Sequence, residues 1–237
     1  MERPRISKFG KSDARRKERQ ATDFSMLIVC EGKKTEPGYF NWYKEQINKR
    51  KNLNIAISGE GKNTVTLVQK AIDLASQNCI YDEVWCVFDR DDFDKIGEQN
   101  RNDFQEALRL IDAENATTSS NRRSRKCPLY CSAVSVEAFE LWFLLHFRFI
   151  ETLISREQYK EKIETCLKQH YPIKYKDYSY RKNDTKLFNE LHKNPKLKQK
   201  AIENARRLDN LDSDEKSYTT VYLLVEKLEG LLKKPVV

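Results

Sequence analysis

The run Met26-Leu27-Ile28-Val29-Cys30-Glu31-Gly32 places five apolar residues in a row and then stops on an acid and a glycine. Such a run has no solvent face, so it reads as a strand buried on both sides that ends in a tight turn. Val84-Trp85-Cys86-Val87-Phe88-Asp89-Arg90-Asp91-Asp92 repeats the pattern and also ends in acids. Between the two, the sequence predicts a helix over 35–49, capped by Thr35, with Phe40, Tyr43 and Ile47 on one face. A strand over 53–57, the turn Ser58-Gly59-Glu60-Gly61 and a helix over 64–76 follow.

Further on, the reading gives a helix over 103–114, a loop over 117–126, a strand over 129–134 and a buried helix over 136–147. Strands alternating with helices at this spacing predict an α/β fold with a mainly parallel sheet flanked by helices. Beyond residue 150 only helical periodicity remains, around 156–169, 185–192, 196–208 and 218–233. The expected organisation is therefore a basic arm over 1–23, an α/β domain over 24–150 and a helical C-terminal region over 151–237.

Of the 237 residues, 39% are hydrophobic and 34% charged, which suits a folded chain with much helical surface. No apolar run approaches the roughly 20 residues of a membrane span. The most apolar stretch, 138–150, is broken by Glu140, His146 and Arg148. The N-terminus lacks the apolar core of a secretory signal, and the six scattered cysteines read as reduced core thiols, so a cytoplasmic protein is expected. The net charge of +8 is concentrated in residues 1–20, which hold eight Lys/Arg against three acids. Such an excess attracts phosphate polymers, and a solvated lysine-rich surface is an equally good account of it.

In a parallel sheet, ligands bind beyond the carboxyl ends of the strands. Glu31 stands at that end of the first buried strand, and Asp89 and Asp91 at that end of the third. If these strands are neighbours, three carboxylates meet at one edge, with Glu36 and Asp92 close behind. Like charges crowd together favourably only around a cation, and hard oxygen donors suit Mg²⁺ or Mn²⁺. The plainer alternative is a set of turn residues and helix caps.

Three blocks together resemble the RloB family of toprim-domain proteins. They are Cys30-Glu31-Gly32-Lys33-Lys34-Thr35-Glu36-Pro37-Gly38-Tyr39-Phe40, Val87-Phe88-Asp89-Arg90-Asp91-Asp92 and Ala138-Phe139-Glu140-Leu141-Trp142. The resemblance implies a toprim-like fold whose shared site binds Mg²⁺ during phosphodiester chemistry. Glu31 matches its glutamate, Asp89 and Asp91 its aspartate pair, Glu36 the second glutamate of the first block and Glu140 the acid of the third. The sequence departs from the family at Ser135-Val136-Glu137-Ala138, where Ser-Asn-Pro-Cys is usual. The resemblance further implies the effector of a bacterial anti-phage, abortive-infection system, working beside an ABC-type ATPase.

The expected activity is that of a Mg²⁺-dependent (or Mn²⁺-dependent) nuclease acting on DNA or RNA. Glu31, Asp89, Asp91 and Glu140 are the expected metal ligands, and Glu36 or Glu140 the candidate general base. Glu140 also has a structural reading, in which Arg148 or a tyrosine satisfies it within an apolar segment. A non-cleaving nucleic-acid-binding or regulatory module is the alternative, primase or topoisomerase chemistry ranks last, and a homodimer stays open. Candidate nucleic-acid contacts are Lys33, Lys34, Arg122, Arg123 and Arg125, together with Lys174 and Lys176 among Tyr171, Tyr175, Tyr178 and Tyr180. Core-facing tyrosines explain that last segment about as well. Gly59-Glu60-Gly61-Lys62-Asn63-Thr64 lacks the first glycine and the Ser or Thr after lysine of a P-loop, so it reads as a turn with Thr64 as cap. His146, His170 and His192 have no ligand spacing and read as packed or surface residues.

Overall fold

The computed structural model describes residues 23–50, 52–61, 63–78, 80–90, 98–121, 127–210 and 216–233. Asp91, Asp92, Arg122, Arg123, Arg125 and nearly all of the basic arm lie outside the described residues.

Four strands, β1 (Phe24–Cys30), β2 (Leu53–Gly59), β3 (Glu83–Arg90) and β4 (Leu129–Val136), form one sheet in the order β2-β1-β3-β4. Every pairing in it is parallel. Among the described residues eight helices surround it: α1 (Thr35–Ile47), α2 (Thr64–Asn78), α3 (Glu98–Asn121), α4 (Glu140–Leu145), α5 (Gln158–His170), α6 (Thr185–Lys193), α7 (Pro195–Asp209) and α8 (Val221–Lys233). This is the α/β architecture with a helical C-terminal part that the sequence predicts.

The central strands bury both faces, which accounts for their unbroken apolar runs. Met26, Ile28 and Cys30 of β1 join Trp85 and Val87 of β3 in one core, packed with α1 and with helices of the C-terminal part. Leu27 and Val29 join Val84, Cys86 and Phe88 in the other core, under α2 and α3. The side chains alternate because successive residues of a strand point to opposite faces. The C-terminal helices thus share a core with the sheet: Tyr159, Leu187, Leu191, Leu224 and Leu228 belong to the same cluster as Met26 and Tyr39.

Several predicted boundaries move. Residues 117–121 are the last part of α3 and not a loop, because a helix end needs no apolar residue. The predicted helix over 136–147 shrinks to α4, since β4 runs through Val136 and a turn follows it with Glu137 at φ 67°. Thr35 does not cap α1: it is the first helical residue, and Lys34 holds the cap position without a side-chain bond. At α2 the cap is Asn63, whose Oδ1 accepts from the Thr66 N–H at 3.1 Å, rather than Thr64.

Candidate metal centre at the carboxyl edge of the sheet

β1 and β3 are hydrogen-bonded neighbours, and the Glu31 N–H continues their ladder by donating to the Val87 carbonyl at 2.9 Å. Glu31 and Asp89 therefore leave the sheet side by side. The Asp89 N–H donates to the Glu31 carboxylate at 3.3 Å, so backbone and side chain lock the two acids together.

Glu36 arrives from the first turn of α1. It is only 7% exposed, and its carboxylate accepts from the Gly32 N–H at 3.1 Å. A Cβ on residue 32 would come within 2.3 Å of Glu36 Oε2, so glycine is required for the carboxylate to lie across this turn. Only the free end of Glu36 obstructs it. Gly32→Ala is therefore expected to keep its unfolding midpoint while displacing Glu36 and weakening Mn²⁺ binding about tenfold, as read by calorimetric titration.

Glu140 opens α4, and the Tyr180 hydroxyl donates to it at 2.8 Å. Of the two partners considered from sequence, it is a tyrosine that satisfies this acid. Its charge still reaches the others. The Asp89 carboxyl, 18% exposed, is pushed well above the usual carboxylate range by burial first, then by the charges of Glu36 and Glu31, with Glu140 adding to them. Glu36 is raised by burial, with Glu140 again adding to the effect. Glu31, Glu36 and Glu140 thus all act on Asp89 across this edge.

Two cations from the C-terminal part answer them. The Arg156 guanidinium stands 3.4 Å from Asp89 Oδ2 while its Nε donates to the Glu137 carbonyl at 3.0 Å, and it lowers the Asp89 pKa. The Lys182 charge similarly favours the Glu36 carboxylate. Beside them, a cleft of about 100 Å³ is lined by Glu31, Asp89, Asn63, Thr64 and Asp103. Arg156 and Asp103 did not emerge from the sequence, since nothing in their local spacing sets them apart from other surface charges, and Lys182 stands out there only as one of the basic residues interleaved with Tyr171, Tyr175, Tyr178 and Tyr180.

Other predicted residues are placed as follows. Lys33 and Lys34 are exposed on the turn between β1 and α1, with the Lys33 alkyl chain lying against Gly61. Lys174 pairs with Glu190 and lies over the rings of Tyr171 and Tyr175, while Lys176 is exposed. Tyr175 and Tyr180 are buried, and the Tyr178 hydroxyl donates to Asp184 at 2.6 Å. His146 and His192 are packed in the core. His170 makes an edge contact with Phe147.

The sequence matches the family described as RloB-like protein over residues 26–228. The chain belongs to the RloB-like family. The match spans the sheet and most of the C-terminal helices, so the RloB-like unit includes the segments that bring Arg156, Tyr180 and Lys182 to the carboxylates. No curated protein and no solved structure matches the chain.

The acids fit a hard divalent cation in donor type and in charge: all are carboxylates, and burial first, then their mutual repulsion, raises the Asp89 and Glu36 pKa values. As positioned, no three such donors among the described residues converge closely enough to hold an ion. Asp91, the remaining predicted ligand, lies outside the described residues.

Proposed function

We propose that this RloB-like chain is a metal-dependent nuclease that hydrolyses phosphodiester bonds of DNA or RNA. The observation that carries this reading is the adjacency of β1 and β3, which sets Glu31 against Asp89 with Glu36 and Glu140 acting on the same carboxyl. Glu31, Asp89, Asp91 and Glu140 would hold Mg²⁺ or Mn²⁺, and Glu36 would serve beside them. When bound, the ion polarises a phosphate oxygen and lowers the pKa of the attacking water.

The chain's own residues have separate tasks. Glu31 fixes the Asp89 backbone through its accepted N–H bond, so the two acids keep one spacing. Tyr180 restrains Glu140. Glu36, with its proton affinity raised by burial, would take the proton of the attacking water. Lys33 and Lys34, exposed on the adjoining turn, would attract the polymer backbone.

In the wider setting that the resemblance implies, this activity belongs to an anti-phage effector controlled by an ABC-type ATPase. A non-cleaving regulatory module is the second reading. The Arg156–Asp89 pair favours it, because that pair partly neutralises the carboxylates without a metal ion.

The test is incubation of the full chain with plasmid, single-stranded DNA and total tRNA in Mg²⁺ or Mn²⁺, with EDTA and a Glu31→Gln variant as controls. Cutting of at least one polymer, lost with EDTA and in the variant, is the expected result. Cutting that survives in both controls would end the assignment, and no cutting in any metal would favour the regulatory module.

A further inference from the structure

Tyr159 is a buried polar group that the proposed metal site leaves unused. The residue is 2% exposed, and its hydroxyl, shielded from solvent, meets no hydrogen-bond partner among the described residues. A buried hydroxyl left unpaired is unfavourable, and a bound acceptor would remove that penalty. The charges of Asp89, Glu137, Glu140 and Arg156 all act on this hydroxyl, which puts it at the carboxylate edge and not elsewhere in the core. Burial first, and then those acids, hold its proton, so at neutral pH it is a donor and not a nucleophile.

Arg156 lies three residues earlier, in the turn that enters α5. Its guanidinium is anchored on the Glu137 carbonyl and reaches Asp89 Oδ2 at 3.4 Å. A guanidinium fork matches two oxygens of a carboxylate or of a phosphate equally well. In the metal-free protein one Asp89 oxygen, Oδ2, stands against Arg156 Nη2.

We propose that Arg156 and Tyr159 form an anion subsite beside Asp89 that takes the non-bridging oxygens of a phosphodiester. This rests on the metal-centre reading, because a phosphate approaches these acids only once a cation has neutralised them. Arg156 then exchanges Asp89 for the phosphate while keeping its hold on Glu137, and the Tyr159 hydroxyl donates a second bond. The helical C-terminal part thereby supplies substrate contacts to a metal site built on the sheet.

The experiment uses the full chain loaded with Ca²⁺, with inorganic phosphate and short DNA and RNA oligonucleotides as probes. Wild type is compared with Tyr159→Phe, Arg156→Gln and Arg156→Lys, and Mn²⁺ affinity is titrated separately for each. Tyr159→Phe is expected to weaken oligonucleotide binding about tenfold without changing Mn²⁺ affinity or lowering the unfolding midpoint. Arg156→Gln should weaken oligonucleotide binding further while tightening Mn²⁺, with Arg156→Lys in between. Oligonucleotide affinity unchanged in both Tyr159→Phe and Arg156→Gln would overturn the subsite even if Mn²⁺ binds. Mn²⁺ affinity that falls in Tyr159→Phe would overturn it by making the tyrosine part of the metal centre. A wild type that binds no Mn²⁺ would remove the metal-centre reading and the subsite with it.

Discussion

Asp89→Asn is expected to abolish cleavage and, in the same protein without metal, to raise the melting temperature. The two effects have one origin. Asp89 is 18% exposed and faces the charges of Glu36, Glu31 and Glu140, so ionising it in the folded chain is unfavourable, and its pKa is raised. Asparagine keeps the shape and removes the charge. The Arg156 pair is lost as well, but that guanidinium is about half exposed, and such pairs contribute only about 0–1 kcal/mol. The net gain should be about 1 kcal/mol, or about 3 °C for a chain of this size. Activity should fall at least a thousandfold, because the lost ligand is the one on which Glu31, Glu36 and Glu140 all act. Scanning calorimetry in EDTA and a cleavage assay in Mn²⁺ read the two sides. A variant that melts lower than wild type would make Asp89 a residue that holds the fold together, and retained cutting would remove it from the site.

Acidification to pH 5 is expected to destabilise the protein through His146 and His192. His146 is 0% and His192 4% exposed, and burial, followed by smaller effects that include the Lys198 charge, pushes both pKa values down to about 3. Each ring has one nitrogen bonded to a backbone carbonyl, His146 Nδ1 to Trp142 and His192 Nε2 to Tyr39, both at 2.9 Å. Those nitrogens therefore carry the proton. The other nitrogen of each ring is buried without a partner among the described residues, and protonating it would place an unsolvated charge in the core.

Because the folded values lie below the unfolded value of about 6.5, the unfolded chain binds protons first as pH falls. The stabilisation is therefore complete above about pH 6.5 and is lost progressively toward pH 3. Between pH 7 and pH 5 each histidine contributes a loss of about 2 kcal/mol, a large share of a typical folding free energy. The raised carboxylates Asp89 and Glu36 oppose this change, since they take up protons first in the folded state. Imidazole NMR resonances separate the effects: His146 and His192 should not move between pH 7 and pH 5. A titration midpoint near 6 for either would contradict the burial account.

The parts legible in the sequence were those with a strong apolar signal. The unbroken runs of β1 and β3 announce two-sided burial, and their terminal acids follow directly, so Glu31 and Asp89 could be placed at one edge before their adjacency was known. Boundaries were less legible where the signal is polar. α3 extends over Glu98–Asn121 because its terminal turns need no buried residue, and Glu36 rather than Thr35 reaches the turn before α1. The contributions of Arg156, Tyr159, Tyr180 and Lys182 depend on how the C-terminal helices dock on the sheet. Local spacing does not encode that docking, and Tyr159 reads along the chain as one more residue on the apolar face of α5. The apolar setting of Glu140 did signal a need for a partner, and the structure supplies it from Tyr180, forty positions away.

The most direct test of the metal centre is an anomalous difference map from crystals of the full chain soaked in Mn²⁺. At least one peak is predicted within coordination distance, about 2.1 Å, of both the Glu31 and Asp89 carboxylates, with Arg156 turned away from Asp89. No peak at that edge, with Arg156 still paired to Asp89 at saturating Mn²⁺, would contradict the account.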